Sequence, residues 1–189
     1  MSRSPLVHVL AVCLPAFAVM PAPSLAQGFS LTSTDLDAAK PVAETFVFDG
    51  GGCSGGNQSP QLAWAGAPAG TKSFALTVFD PDAPNGGAGF WHWAVFDIPA
   101  GVAALPRGAG AADGHALPQG ARQVANDFDQ PGYGGPCPPA GKPHRYLFDL
   151  YALKVPAIQL AREASAAEAA ARIRKEAIAK ATLMVRYGR

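Results

Sequence analysis

The chain has 189 residues, with 15 Lys and Arg against 14 Asp and Glu and a formal net charge of +1. That balance excludes the broad basic surface through which a protein binds nucleic acid non-specifically by displacing counterions. The length fits one domain with a substantial core.

At the N-terminus, Arg3 precedes an uncharged stretch, 4–20, rich in Leu, Val, Ala and Phe, followed by Pro21-Ala22-Pro23-Ser24-Leu25-Ala26-Gln27. A basic start, an apolar run and small residues at Ser24 and Ala26 predict a secretory signal peptide cleaved after Ala26, leaving 27–189 as a single periplasmic or secreted domain. The run is interrupted by Pro15, Pro21 and Pro23 and is short for a bilayer span, and no second apolar stretch is long enough to cross, so no stable membrane insertion is expected. Cys13 lies inside the run, after Val12, which argues against a lipoprotein anchor. Loss of Arg3 leaves 15 − 1 = 14 basic residues against 14 acidic ones, so any anion must be captured locally, by a pocket.

Of the 3 cysteines, Cys13 leaves with the leader, and Cys53 and Cys137 remain. An even count in an exported chain favours a disulfide between them, worth roughly 4 kcal/mol by the chain-entropy model for so long a loop. Two free thiols or a two-thiol metal site are the alternatives, neither supported by a CxxC spacing.

Gly and Pro punctuate nearly everything before Pro156, as in a β-rich domain with long loops. Residues 46–48 form a short strand candidate. The run 73–79 is apolar on both faces and reads as a central strand; 91–98 and 145–153 repeat that character. A mainly β fold of two antiparallel or mixed sheets with peripheral helices is expected. Ser165-Ala166-Ala167-Glu168 reads as a capping box opening a helix over 166–180, whose narrow apolar face (Ile173, Ile178) predicts packing at a sheet edge. Residues 182–187 have the content of a terminal strand.

Three segments carry polar chemistry. Asp80-Pro81-Asp82-Ala83-Pro84 ends an apolar strand, and Pro81 turns two carboxylates outward; a plain turn and a binding site explain it equally. His92 lies between Trp91 and Trp93, either a core histidine satisfied by a carbonyl or the polar floor of an aromatic cleft. His144 and Tyr146, at i and i+2, share one strand face, and the glycines of Tyr133-Gly134-Gly135 offer backbone N–H groups for an oxyanion. Arg145 points the other way and reads as a structural partner of an acid, as does Asp149 in the opposite sense. A carboxylate repels a phosphate dianion, so a pocket containing Asp80 should prefer a singly charged phosphate ester, and binding should weaken as imidazole loses its proton.

These residues carry a resemblance. Cys53-Ser54-Gly55-Gly56-Asn57-Gln58-Ser59-Pro60, the DPDAP segment, Trp91-His92-Trp93, Asp97-Ile98-Pro99, Asn126-Asp127-Phe128, and Gly135-Pro136-Cys137-Pro138-Pro139-Ala140-Gly141 leading into His144-Arg145-Tyr146 together resemble a bacterial secreted member of the phosphatidylethanolamine-binding protein family, also called Raf kinase inhibitor-like proteins. The resemblance covers nearly all of 27–189. It implies two antiparallel sheets with peripheral helices and an anion pocket on Asp80, Asp82, His92, Tyr133, Gly135, His144 and Tyr146, with a phosphate or phospholipid head group as ligand and a kinase or protease as protein partner. Where relatives often have a His before the final strand, this chain has Glu176-Ala177-Ile178-Ala179.

The function expected is therefore capture of a small phosphorylated or other anionic ligand, without turnover, cofactor or metal. The alternative is a hydrolase using the same His and Asp groups as acid, base or metal ligands; no HExxH or GxSxG segment supports it.

Overall fold

The structure, a computed structural model, describes residues 28–161 and 163–189. The expected leader and its cleavage point after Ala26 lie outside the described residues. In chain order the elements are β1 (Ser30–Thr32), a 3-10 turn (Glu44–Phe46), β2 (Asp49–Gly50), β3 (Cys53–Ser54), β4 (Leu62–Ala65), β5 (Ser73–Asp80), β6 (Phe90–Pro99), β7 (Ala104–Leu105), β8 (Arg122–Gln123), β9 (His144–Leu153), α1 (Ala166–Glu176) and β10 (Ala177–Tyr187).

The three long runs with apolar residues on both faces form the middle of a five-stranded antiparallel sheet ordered β10-β9-β5-β6-β8. Both faces of these strands are covered, which is why they lack polar alternation. One face packs on a three-stranded antiparallel sheet, β1-β4-β7, with Leu31, Leu62, Trp64 and Leu105 meeting Phe74, Leu76, Val78, Trp93, Phe148 and Leu150. On the other face, Ala75, Ala94, Phe96, Tyr151 and Leu153 are covered by Ala166, Ala169 and Ile173 of α1. Each large side chain so buried contributes roughly 1.5–3 kcal/mol of transfer free energy.

Two expectations need correction. Residues 46–48 are not a strand: Phe46 closes a 3-10 turn, and Val47 and Phe48 continue as loop. They are apolar because all three are buried, while their backbone bonds serve turns and loops: Val47 N–H donates to Glu44 and Phe48 N–H to Pro136.

The helix begins as expected, Ser165 and Glu168 forming a reciprocal capping box, but ends at Glu176. Residues 177–180 instead open β10, pairing with Leu153, Ala152 and Tyr151 of β9. Sheet pairing here overrides the helix propensity of Ala and Lys. Ile178 therefore faces solvent, and α1 covers the middle of the five-stranded sheet, not its edge.

Candidate functional site

Antiparallel order brings the three polar segments to one end of the large sheet. Asp80 is the last residue of β5 and pairs with Phe90 at the start of β6, while β9, on the other side of β5, begins at His144. Between Trp91, opposite Phe79, and Trp93, opposite Val78, His92 has no partner on β5, so it is the extra residue of a β-bulge. A bulge bends the strand and re-aims a side chain, and here it directs an imidazole into a cavity in an otherwise apolar sheet.

The cavity measures about 170 Å³ and is lined by Asp80, Ala83, Pro84, Phe90, His92, Phe128, Cys137, Pro138, Pro139, His144 and Tyr146. Of the seven residues expected to form the pocket, Asp80, His92, His144 and Tyr146 meet there. Asp80 is buried, and both its oxygens are engaged within the protein: Oδ1 accepts from Asp82 N–H at 2.8 Å and Oδ2 from His144 Nδ1 at 2.7 Å. The carboxylate thus fixes the turn after β5 and orients the His144 ring.

His92 donates from Nδ1 to the carbonyl of Gly134 at 2.8 Å. Burial opposes charging this ring and outweighs the favourable Gly134 carbonyl and Asp80 charge, so its pKa falls to about 4. At neutral pH the imidazole is uncharged, with Nε2 as a lone-pair acceptor. The phenol of Tyr146 is fully buried and its hydroxyl makes no hydrogen bond within the described residues. Burial, seconded by the nearby Asp80 charge, pushes its pKa up, so it remains a neutral donor.

The other three expected residues do not line the cavity. Asp82 is claimed by Arg145, which donates Nε (2.8 Å), Nη2 (2.7 Å) and its backbone N–H (2.9 Å) to the carboxylate, and these bonds hold Asp82 well below the usual carboxylate range. Tyr133 is buried against Trp93 and its hydroxyl donates to the carbonyl of Phe46 at 2.9 Å. The expected oxyanion nest is spent as well: Tyr133 N–H donates to Gly110, Gly134 N–H to His92 and Gly135 N–H to Asn57 Oδ1. Gly135 is glycine for a packing reason, since a Cβ there would lie 2.3 Å from the carbonyl of Phe46.

The sequence reading offered an aromatic cleft around His92, but it did not single out Phe128 or the prolines as its walls. The Phe128 ring stacks on Phe48 at 3.8 Å and meets Phe90 edge-on at 4.6 Å, while Phe90 and Tyr146 flank His92 at 5.0 and 5.1 Å. Phe128 is held by its loop: buried Asn126 accepts the Phe128 N–H, and Asp127 accepts the N–H of Trp91. Asn126-Asp127-Phe128, an Asx turn presenting an aromatic ring, was the available signal.

The opposite wall, 137–139, is tied down twice. Cys137 is disulfide-bonded to Cys53 in the β2–β3 hairpin, as the cysteine count suggested. Arg189 spans the same two segments, donating Nε to Pro138 O at 2.7 Å and Nη1 to Gly52 O at 2.6 Å.

Among the described residues no helix is long and apolar enough to cross a membrane, and no three His, Cys, Asp or Glu side chains cluster to hold a metal ion.

The fold and site define a β-rich protein with a small, mostly apolar cavity floored by two histidines; comparison with known proteins supplies the family. The family model for phosphatidylethanolamine-binding protein matches residues 47–188. The chain is 51% identical over 143 residues to UPF0098 protein YbcL of Escherichia coli, covering 75% of this chain and 78% of that one. It is 41% identical over 157 residues to UPF0098 protein YbhB of the same organism, covering 83% and 98%. The crystal structure of E. coli YbcL, described as a new member of the mammalian PEBP family, superimposes with a TM-score of 0.83 at 46% identity, covering 86% of this chain and 99% of that one. The chain belongs to the phosphatidylethanolamine-binding protein family.

Proposed function

We propose that the protein captures a small phosphate-ester anion in the cavity floored by Asp80, His92, His144 and Tyr146. The observation that carries this reading is the meeting of Asp80, His92, His144 and Tyr146 around one cavity, with the Tyr146 hydroxyl a buried donor that has no partner among the described residues; such groups are costly to leave unmade. His144 is the second donor. Its Nδ1 is committed to Asp80, so Nε2 is directed elsewhere on a ring lining the cavity, where it would meet an anion whenever the ring carries its second proton. The family name, which refers to a phosphoester head group, fits this chemistry.

Binding without turnover is favoured because the lining has no Ser, Thr, Lys or Arg to attack an ester or to stabilise the charge that develops when one breaks. Export by the N-terminal leader would place capture in the periplasm or the medium, and a disulfide suits that oxidising setting.

Titration calorimetry with ethyl phosphate at pH 5.5 tests the reading. Wild-type protein is expected to bind one equivalent, and His144→Gln, with an unchanged circular dichroism spectrum, to lose binding at least tenfold. Full affinity in His144→Gln, or no binding by wild type, overturns it.

A further inference from the structure

Asn85-Gly86 is the sole Asn–Gly pair in the chain. It lies in the loop joining β5 to β6, directly after Ala83 and Pro84 of the cavity wall. We propose that Asn85 is a site of spontaneous deamidation, and that the carboxylate it becomes weakens anion capture; this second half rests on the capture reading above.

The reaction requires the backbone nitrogen that follows an asparagine to reach the carbonyl carbon of that asparagine's own side chain. A glycine in the following position presents no Cβ to block the approach. The chain has three asparagines, and the structure separates them. Asn57 is followed by Gln58, whose N–H donates to Thr45 O at 3.1 Å, and the Asn57 amide is itself held, Nδ2 by Tyr133 O and Oδ1 by Gly135 N–H. Asn126 is buried, its Nδ2 donates to Gly132 O, and the next N–H, of Asp127, donates to Trp91 O at 2.9 Å. In both cases the attacking nitrogen must first give up a backbone hydrogen bond.

Asn85 has no such protection. The turn bond runs from Ala88 N–H to Asn85 O at 2.8 Å and passes over Gly86, whose own N–H has no acceptor among the described residues. Gly86 and Gly87 both take positive φ, +56° and +86°, as a tight turn of this hand requires. Residues 85–88 are exposed, and a Cβ built on Gly86 or Gly87 would meet nothing within 4 Å. The loop thus has room for a ring to close.

In the step itself the Gly86 nitrogen attacks Asn85 Cγ and gives up its proton; the N–Cγ bond forms, the Cγ–Nδ2 bond breaks and ammonia leaves, producing a succinimide. Water then adds to one or other ring carbonyl and reopens it, leaving aspartate or isoaspartate at position 85. Water is the only co-reactant.

The product disturbs the cavity wall in two ways. Asn85 Nδ2 donates to Gly89 O at 3.2 Å, tying the start of the loop to the residue before Phe90. A carboxylate can only accept, so that tie is lost and two oxygens face each other. The new negative charge also stands beside a cavity that takes an anion, where it opposes capture.

Incubation of the purified protein at pH 7.4 and 37 °C, followed by tryptic digestion and mass spectrometry, tests the first half. The peptide 73–107 carries Asn85 as its only amide side chain. It is expected to gain about 1 Da progressively, at least about tenfold faster than the peptides with Asn57 or Asn126, which must first break a hydrogen bond. Asn85→Gln, whose longer side chain disfavours the ring, should show no gain in 73–107. Conversion no faster at Asn85 than at the other two, or an equal gain in Asn85→Gln, overturns the site. Calorimetry tests the second half: Asn85→Asp is expected to bind ethyl phosphate about fivefold more weakly than wild type. Wild-type affinity in Asn85→Asp overturns the effect on capture while the site stands. No binding by wild type removes the capture reading and this effect with it, whereas the mass shift still decides the site.

Discussion

Asp80 and His144 stand 2.7 Å apart across neighbouring strands, although 64 residues separate them in the chain, and that pairing orients the His144 ring on the cavity floor. Asp82, two residues on, is bonded to Arg145 at the surface instead. The two carboxylates of one motif thus do different work, and substitution should separate them. Asp80→Asn is expected to weaken ethyl phosphate binding more than tenfold, because it removes the carboxylate that orients the His144 ring. Asp82→Asn should change affinity less than threefold and stability by about 1 kcal/mol or less, as for other solvent-exposed ion pairs. Calorimetry and urea unfolding of the two variants check both statements.

Tyr146→Phe should move stability and affinity in opposite directions. The hydroxyl is buried without a partner in the free protein, so its removal should stabilise the fold by about 1 kcal/mol in urea unfolding. The same change deletes a donor to the ligand and should cost about tenfold in affinity. A variant that loses both stability and binding would mean that the hydroxyl is satisfied in the free state.

His92 should give the protein an acid-sensitive stability. Its folded pKa of about 4 lies below the 6.5 of the unfolded chain. Above pH 6.5 neither state binds the proton and the stabilisation is fully present. As pH falls below 6.5 the unfolded chain takes up a proton that the fold refuses, and stability declines until about pH 4, by about 3 kcal/mol in all. His92→Gln should flatten that decline in urea midpoints measured between pH 7 and 4.5.

The 137–139 wall is held by the cystine and by Arg189 together, so their losses should not add. Cys53→Ser/Cys137→Ser should destabilise by up to about 4 kcal/mol. Arg189→Ala alone should reduce ligand affinity less than threefold. Combined, the three substitutions should lower affinity by more than the product of the separate effects, since each tie substitutes for the other. A double-mutant cycle on ethyl phosphate affinity measures the coupling.

Strands β5, β6 and β9 were legible to within a residue or so at each end, because burial on both faces writes an unbroken apolar run bounded by Asp or Pro. The end of α1 was not, because Ala177-Ile178-Ala179-Lys180 has helical composition and only the partner strand β9 makes it extended. On the cavity floor, the i, i+2 rule put His144 and Tyr146 on one strand face, whereas gathering them with Asp80 and His92 in one pocket rested on the family resemblance. Tyr133 and Gly135 have the same chemistry on paper and were spent elsewhere, on Phe46 and Asn57, loop segments nearly ninety residues away in the Tyr133 case. Composition cannot reveal which donors are already occupied. Phe128 was visible in its motif, but only the packed structure shows its ring over His92.

The polar floor of the cavity belongs to rigid strands, whereas Ala83, Pro84, Phe128, Pro138 and Pro139 come from connecting loops. Recognition is thereby divided into a fixed chemical receptor and an exchangeable collar. Grafting foreign collars of different girth onto this scaffold would retune which molecules are admitted, while the polar groups beneath stayed as they are.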